Sequence, residues 1–415
     1  MKTAFLLVLC SALLGCPGAG GGRVDAGPNL LDPAFGSQGL TRTAWGCHSR
    51  ADALVAIGNG RVVAAGRACG EWAFAAYLSD GSLDPSYGTE GKTQLFPDAG
   101  SFVEVTAMVV RPDGRVVARG HAGARDAIRQ LSANGVNDSA FAAAVDKALD
   151  SRFELIRAIA LQPDGKLLVG NGENLTRLEI DGALDTTFGT NGHLSLAFFG
   201  SDTFLTGALV HPDGRIVLSG LDTRTPYGEP FVAQLQASGA ADPSFGTNGV
   251  VKLKASVVGT TQVNAIAIQS DGKLLLAGAV KPSELAHFRP AVWRLTLAGV
   301  LDTSFGAAGE AEAPTGGGDT RFNALATLSD GNVVAAGSYR QTTLVSESWL
   351  VARFSPSGEL DPAFGGSGFT VFDLGIPYSP GGARGLAVTP AGYVVAGPWF
   401  EQTRPGEFAI ARILP

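Results

Sequence analysis

The phrase "LDTTFGTNG" at residues 184–192 returns along the chain and reveals how the molecule is organised. Five further copies keep its Asp, its aromatic residue and its two glycines: "LDPAFGSQG" (31–39), "LDPSYGTEG" (83–91), "ADPSFGTNG" (241–249), "LDTSFGAAG" (301–309) and "LDPAFGGSG" (360–368). Self-similarity at a regular spacing indicates a repeat architecture. The phrase therefore predicts a series of equivalent units.

A second phrase alternates with the first and predicts a β-hairpin. Two apolar runs flank a turn of Pro-Asp-Gly type, in which Pro presets the backbone, Asp caps the turn and Gly takes a positive φ. Seven copies are present: "ALVAIGNGRVVAAG" (53–66), "AMVVRPDGRVVARG" (107–120), "AIALQPDGKLLVGNG" (158–172), "ALVHPDGRIVLSG" (208–220), "AIAIQSDGKLLLAG" (265–278), "ALATLSDGNVVAAG" (324–337) and "LAVTPAGYVVAG" (386–397).

Each hairpin is followed by a third phrase with the length and alternation of a short strand, such as "AVWRL" (291–295). The first phrase comes next, so we call it the connector, and a fourth run such as "GVVKLKA" (249–255) follows it. From Gly60 to Gly392 the turn glycines recur with a mean period of about 55 residues. Seven units of four short strands predict an all-β fold, a seven-bladed β-propeller of about 28 strands over residues 31–415.

The order of the phrases also predicts how the ring closes. The repeat region begins with a connector (31–39) and ends with a third-phrase strand (409–413). We therefore expect the N- and C-terminal segments to share one blade, which removes an open sheet edge. A stacked solenoid would need capping ends, and the sequence has none.

The connector residues have structural rather than catalytic roles in this interpretation. Asp185 is expected to accept hydrogen bonds from nearby backbone amides. Phe188 is expected to pack between neighbouring sheets, and Gly189 and Gly192 to take backbone angles closed to other residues. A catalytic site needs one converging group of side chains, whereas this carboxylate is dispersed over every unit.

One connector, residues 137–154, has diverged. It keeps Asp138 and Phe141 but lacks the glycines that follow the aromatic residue in the other copies. The stretch "FAAAVDKALDSRFE" has helix propensity, so we predict a short helix there. An irregular loop is the alternative.

Composition excludes several classes of protein. The chain has 415 residues, 45% of them hydrophobic and 17% charged, with 57 glycines. This fits a turn-rich all-β protein and is far from a disordered composition. The net charge is −7 and no block of like charges is present. Binding to nucleic acid or to anionic lipid by charge is therefore not expected.

The N-terminal stretch "MKTAFLLVLCSALLGC" resembles a bacterial lipoprotein signal. Residues 1–15 are predicted to be a lipoprotein signal peptide, Cys16 to carry the lipid, and 16–30 to form a glycine-rich tether. Leu14 departs from the pattern, because a small residue is more usual there. The alternative is a plain secretory signal cut near residues 18–20, with Cys16 discarded.

The remaining cysteines, Cys47 and Cys69, flank the open end of the first hairpin. A disulfide is expected if their Cα atoms come within about 6 Å. Such a bond fits export to an oxidising compartment. Two unpaired buried thiols are the alternative.

The paired connector and hairpin phrases resemble the "delta sixty" repeat family of secreted and surface proteins of bacteria, over residues 31–414. The resemblance implies a β-propeller fold. It implies no agreed biochemical function, so no functional residue is carried over from it.

Linear motifs for chemistry are absent from the sequence. The five histidines, listed as His48, His121, His193, His211 and His287, make none of the usual metal-ligand spacings, and we interpret them as surface or turn residues. No calcium loop, nucleophile elbow or phosphate-binding loop is present. We expect no catalytic residue, metal or cofactor from these patterns.

The loops between the second and third phrases vary most, as in residues 222–230, 280–290, 339–348 and 399–407. Propellers usually bind ligands on one face around the channel. We therefore regard the loop side chains Tyr227, Phe288, Tyr339, Trp399 and Arg404 as candidates for ligand contact. Length drift in tolerant loops is the alternative.

These observations favour a non-enzymatic scaffold or binding module for protein or glycan. We expect it to be exported and lipid-anchored at the bacterial cell envelope, in the outer membrane or at the cell surface, and to be a monomer. The rival is a propeller hydrolase or lyase acting on extracellular polysaccharide. Three or more Asp, Glu, His or Arg side chains at the channel mouth would favour the rival, and a channel lined by Ala, Val and Gly would not.

Overall fold

The computed structural model describes residues 30–415 except 97–101, 150–154, 173, 197–201, 225–227, 254–259, 284, 316, 341–346, 373–380 and 402–403. The predicted signal peptide, Cys16 and most of the tether lie outside the described residues. The seven-bladed β-propeller is confirmed: seven antiparallel sheets, six of four strands and one of three, surround a central channel.

The strands follow one another blade by blade. β1 (Leu40–Thr43) comes first and belongs to the last blade. Blade 1 contains β2 (Ser49–Gly58), β3 (Arg61–Ala68), β4 (Glu71–Tyr77) and β5 (Lys92–Leu95). Blade 2 contains β6 (Val103–Val110), β7 (Val116–Ala122) and β8 (Arg125–Leu131), followed by the helix α1 (Ser139–Leu149). Blade 3 contains β9 (Ala158–Leu161), β10 (Leu167–Gly170), β11 (Asn174–Leu178) and β12 (His193–Ser195).

Blade 4 contains β13 (Thr203–Val210), β14 (Ile216–Asp222), β15 (Glu229–Leu235) and β16 (Val250–Lys252). Blade 5 contains β17 (Thr260–Ile268), β18 (Leu274–Lys281), β19 (Arg289–Leu295) and β20 (Glu310–Glu312). Blade 6 contains β21 (Arg321–Thr327), β22 (Val333–Arg340), β23 (Glu347–Phe354) and β24 (Phe369–Phe372). Blade 7 contains β25 (Gly385–Thr389), β26 (Gly392–Glu401) and β27 (Arg404–Ile413), with β1 as its outer strand.

The two ends of the ring differ. Each innermost strand contacts that of the next blade, and β25 contacts β2, so the inner strands enclose the channel. Because the strands of a blade alternate in direction, the hairpin turns and the connectors lie at one end, which we call the turn end. The links from second to third strand and from one blade to the next inner strand lie at the opposite end, the loop end.

The predicted structural roles of the connector are confirmed. In six connectors the first carboxylate oxygen of the Asp accepts the amide two residues later, at 2.9–3.1 Å. The connector aromatics are at most 2% exposed: Phe35, Tyr87, Phe141, Phe188, Phe245, Phe305 and Phe364. Gly189 has φ of 56°, and a Cβ there would come 2.3 Å from the His193 carbonyl oxygen.

The predicted helix is also confirmed. α1 takes the place that the outer strand has in the other blades. Asp138 caps it by accepting the Phe141 amide at 3.0 Å. The reason lies in the diverged sequence: without a glycine after Phe141 the connector turn cannot form, and the alanines that replace it favour helix.

Ring closure follows the prediction too. β1 pairs antiparallel with β27, with Leu40 opposite Ala411 and Thr43 opposite Phe408. The disulfide is present as well: Cys47 is bonded to Cys69, with their Cα atoms 5.3 Å apart. It joins the start of β2 to the end of β3 at the loop end.

Candidate functional site

A β-bulge in the inner strands provides the polar residues of the channel. In five blades the pairing of the first two strands skips one residue of the inner strand, just below the loop end. A bulge leaves that residue unpaired and redirects its side chain. In blades 3 and 7 the equivalent residue directly precedes the inner strand. Together these seven residues form what we call the channel ring: Asp52, Thr106, Arg157, Thr206, Asn264, Asn323 and Arg384.

The channel ring surrounds the open end of a cavity of about 320 Å³. Six of its seven members line this cavity, together with Arg119 from β7. Further along the channel the lining is apolar, with residues such as Leu54, Met108 and Ile159. The channel is therefore a pocket with a polar mouth at the loop end and apolar walls behind it.

Blades 7, 1 and 2 contribute a network of ion pairs. Asp52 accepts from Arg50, Nε to Oδ2 at 3.0 Å, and from the Arg384 guanidinium, and Arg50 also contacts Glu104. The Asp52 side chain is 7% exposed. Burial raises the pKa of Asp52, and it outweighs the two arginines that lower it, while the nearby Glu104 adds to the increase. The carboxylates of Asp52 and Glu104 are therefore both paired with arginine side chains.

Blades 2 and 3 contribute two arginines that lack such partners. Arg119 donates from Nη1 to the Ile156 carbonyl oxygen at 2.7 Å, but its buried Nε has no acceptor among the described residues. The Arg157 guanidinium lies 5.4 Å from the centre of the Phe204 ring, and no described acidic side chain forms an ion pair with it. Burial, aided by the charge of Arg157, lowers the pKa of Arg119 to about 10 despite the opposing carboxylate of Asp126.

A histidine and a carboxylate lie beside this pair. His121 contacts Asp126 through Nδ1, and Asp126 also accepts the Ile156 amide. Glu104 stands opposite His121 in the β6–β7 register, and the Phe102 ring is 4.9 Å from the imidazole. His121 lies within β7 rather than in a turn, and its side chain is 20% exposed and contacts Asp126. His211 lies in a turn, as predicted, but it is 1% exposed and is therefore not a surface residue.

The channel ring is neutral on blades 4 to 6. Thr206 shares a hydrogen bond with Ser219, Oγ1 to Oγ at 3.1 Å. Asn264 and Asn323 donate from Nδ2 to carbonyl oxygens of the next blade, Phe322 and Ala383, at 2.8 and 2.9 Å. The two amide side chains link neighbouring blades. The charged residues of the channel ring therefore lie on blades 7, 1 and 3, on the opposite side of the channel mouth.

The structure does not bring the five loop candidates together. Phe288 is half-buried between Lys281, at 5.7 Å, and Arg321, at 5.4 Å. Tyr227 and the side chain of Arg404 lie outside the part of the chain that the structure describes. The prediction that Tyr339 and Trp399 are loop side chains available for ligand contact is wrong, because they are 2% and 9% exposed. They lie in β22 and β26, which continue beyond the hairpin phrases and pack between blades.

Sequence reasoning missed the channel ring, although a signal for it exists. Most hairpin phrases were taken to begin at the small residue after the ring position, as at Ala53, Ala107 and Ala158. Aligning the repeats one residue earlier shows Asp, Thr, Arg or Asn in every copy. A polar residue at one register position in all inner strands indicates a polar belt around the channel. The convergence of charged side chains that would favour an enzyme is present at this mouth.

Two classes of feature are not found within the described segments. No group of three or more His, Cys, Asp or Glu there could hold a metal ion. No helix there is long and apolar enough to cross a membrane.

The repeats match a family model described as "Domain of unknown function (DUF5122) beta-propeller" over residues 162–188, 211–245, 269–305 and 328–364. Each match runs from a hairpin turn to a connector, in blades 3 to 6. These matches support a β-propeller repeat in the matched part of the chain. No curated protein matches the sequence.

Solved propellers resemble the chain only distantly. A protein from Lactobacillus plantarum is 14% identical, with a TM-score of 0.47, covering 80% of this chain and 86% of that one. A gluconolactonase from Xanthomonas campestris is 14% identical, with a TM-score of 0.36 and coverages of 73% and 83%. A calcium-binding protein, regucalcin, from Agrobacterium tumefaciens is 12% identical, with a TM-score of 0.41 and coverages of 74% and 89%. None of these likenesses bears on function.

Proposed function

We propose that the protein is a non-enzymatic binding module of the bacterial cell envelope, held by a lipid on Cys16 and built from delta sixty-type repeats. Its ligand, a protein or a glycan, binds at the loop end over the channel mouth. The proposal rests on the pocket of about 320 Å³ at the channel mouth, where the carboxylate of Asp52 is already paired with Arg50 and Arg384. Concave sites with a few convergent polar groups are the usual ligand sites of proteins.

The pairing within the network favours binding over acid–base chemistry. Asp52 and Glu104 already accept from guanidinium groups, so they position arginines. Arg119 and Arg157 both line the pocket, and Arg119 Nε has no acceptor among the described residues. Arginine N–H groups at the channel mouth are suited to binding a ligand with hydrogen-bond acceptors, because the carboxylates of Asp52 and Glu104 are already paired with other arginines.

The rim of the loop end offers further contact surface. Phe102 is 64% exposed and Leu285 is 98% exposed, and both lie at this end. Exposed apolar side chains around polar groups are typical of interaction sites. Phe288 remains a candidate contact there, as do Tyr227 and Arg404.

Crosslinking in intact cells, followed by mass spectrometry, tests this proposal with the full-length protein. We expect a reproducible partner that the double variant Phe102→Glu with Leu285→Glu captures at least tenfold less. The matched control carries the same changes at exposed residues of the turn end, Leu297→Glu with Val300→Glu. Its capture should equal that of the wild type.

Equal capture by both variants, or the absence of any partner for a folded protein, would overturn the proposal. The anchor is tested in the same cells by incorporation of a labelled fatty acid, which Cys16→Ala should abolish. Incorporation that survives this change contradicts lipid attachment at Cys16.

The hydrolase or lyase acting on extracellular polysaccharide is retained as a second candidate because of one observation. His121 is oriented by Asp126 and faces Glu104 across the β6–β7 pair. A histidine oriented by a carboxylate is a common general base. If this candidate holds, purified protein should release reducing ends or unsaturated products from an acidic polysaccharide, and His121→Ala should abolish the release. No release by folded wild type contradicts it.

A further inference from the structure

We infer that Arg119 and Arg157 form a binding site for the carboxylate of an acidic sugar at the channel mouth. This inference rests on the proposed function and names the class of ligand for it. It places the carboxylate between blades 2 and 3 and the sugar ring over the pocket.

The first argument is the uncompensated charge of Arg119. The side chain is half-buried: Nη1 donates to the Ile156 carbonyl oxygen, and the buried Nε meets no acceptor among the described residues. A buried charge normally has a charged or hydrogen-bonding partner, because leaving it unpaired is costly. The carboxylates of Asp126 and Glu104 act on it without forming a described ion pair. An anion bound from the channel would supply the missing acceptor.

The second argument is the position of Arg157. It is the channel-ring residue of the next blade, and it directly follows Ile156, whose carbonyl oxygen accepts from Arg119 Nη1 at 2.7 Å. The Phe204 ring supports one side of Arg157 at 5.4 Å. Both arginines line the same cavity. Two adjacent guanidinium groups present the planar donor pairs that a carboxylate accepts.

The third argument is the balance of charge. The mouth contains four arginines, Arg50, Arg119, Arg157 and Arg384, and three carboxylates, Asp52, Glu104 and Asp126. Counting these arginines and carboxylates alone, one positive charge is left over. A single negative charge, such as that of a carboxylate, neutralises it, whereas a phosphate dianion would leave an excess of negative charge.

The fourth argument is the surroundings of the two arginines. The cavity of about 320 Å³ is at the small end of the range for ligand pockets and fits a single sugar ring. Thr106 and Thr206 place hydroxyl groups on either side of Arg157 in the channel ring. The exposed Phe102 adds an aromatic face at the rim. The threonine hydroxyl groups can bond sugar hydroxyls, the Phe102 ring can contact the sugar ring, and the two arginines can bind its carboxylate.

Calorimetric titration of the full-length protein in detergent tests this inference. D-glucuronate is the probe, a glucuronate-containing oligosaccharide distinguishes a free sugar acid from a polymer unit, and D-glucose, acetate, inorganic phosphate and a Glu-containing peptide are the comparisons. We expect glucuronate or the oligosaccharide to bind and glucose not to bind. Arg119→Met and Arg157→Met should each weaken binding about ten- to hundredfold. Arg340→Met, an exposed loop-end arginine without a described side-chain partner, should bind as the wild type does.

A stability readout separates a ligand role from a structural role. Because the buried Nε of Arg119 has no acceptor among the described residues, Arg119→Met should leave the thermal midpoint of the ligand-free protein unchanged or higher. A lowered midpoint would assign Arg119 to the fold. Failure of both glucuronate and the oligosaccharide to bind, or tighter binding of phosphate or the peptide, would also overturn the inference. Partner capture at the loop-end rim is measured separately, so a failure of this inference can be distinguished from a failure of the proposed function.

Discussion

Asp185 illustrates, at the scale of the residue, how one carboxylate holds a connector together. Its Oδ1 accepts the Thr187 amide at 3.0 Å, and its Oδ2 accepts from Arg177 at 2.6 Å and from Lys166 at 2.8 Å. Burial opposes ionisation of Asp185, but the hydrogen bonds from Lys166, Thr187 and Arg177 outweigh it and hold its pKa well below the ordinary value. The charged form is thus the form that stabilises the connector.

Asp185→Asn should therefore lower stability in a way that depends on pH. Above the ordinary carboxyl pKa of 3.8 the wild-type carboxylate contributes fully, and we expect the variant to be less stable by about 2 kcal/mol. Because the pKa is lower in the folded than in the unfolded protein, this advantage is lost as the pH falls below 3.8 toward the folded pKa. Urea unfolding at a series of pH values measures the difference.

Asp181→Asn is the matched control for this prediction. Asp181 is exposed in the preceding turn and accepts the Ala183 amide at 3.0 Å, with no ion pair to a described cation. Its effect on the free energy of unfolding should be small, because an exposed side chain contributes little. A constant gap for Asp185→Asn across the acid range would contradict the assigned role.

At the scale of the element, blade 2 shows that the connector tolerates replacement by a helix. Asp138 changes from a turn residue to the N-cap of α1, and Phe141 remains buried as in the other connectors. Val145 and Leu149 extend the buried face of α1. The helix therefore covers the outer side of β8 with apolar residues, where other blades have a strand.

Asp138→Ala should destabilise the protein by about 1 kcal/mol, because it removes the cap of the Phe141 amide. Circular dichroism and urea unfolding measure the loss. Asp146→Ala is the control, since Asp146 is exposed and its ion pair with Arg129 at 2.9 Å should contribute only about 0–1 kcal/mol. A larger loss for the control than for Asp138→Ala would contradict the capping role.

Elements also mark the limit of what the sequence can predict. The hairpin and connector phrases are local patterns, so strands, turns, the helix after Asp138 and the number of blades follow from them. The channel ring depends on a bulge that adds one residue to an inner strand, which no single hairpin phrase marks and only the alignment of all copies reveals. The burial of Tyr339 and Trp399 depends on how far β22 and β26 extend, which the neighbouring blades determine. Charged partners on different blades, such as Asp52 and Arg384, are separated by most of the chain.

At the scale of the whole molecule, one arginine joins both ends of the repeat region. Arg412 in β27 donates from Nε to Asp32 Oδ2 at 2.8 Å and lies 4.9 Å from the centre of the Phe35 ring. It also donates to the Ser79 carbonyl oxygen of blade 1. The Arg412 side chain is 7% exposed. The closure of the ring therefore depends on this buried ion pair as well as on the β1–β27 pairing.

Arg412→Met should destabilise the protein by about 3–5 kcal/mol, because it leaves the Asp32 carboxylate buried without its partner. Arg42→Met is the control in the same sheet: Arg42 is exposed, and its contact with Glu407 is 3.9 Å. It should change the free energy of unfolding by no more than about 1 kcal/mol. Guanidinium unfolding measures both, and equal effects would contradict the role assigned to Arg412.

Because β1 is the outer strand of the last blade, the chain enters and leaves the ring on the same side. Leu30 meets Leu414 at the turn end, through a backbone hydrogen bond of 2.8 Å. The channel mouth opens on the opposite side. A membrane anchor preceding Leu30 would thus attach to the turn end of the propeller. The loop end, with its arginine-lined channel mouth, would then face away from the membrane and toward solutes in the surrounding medium.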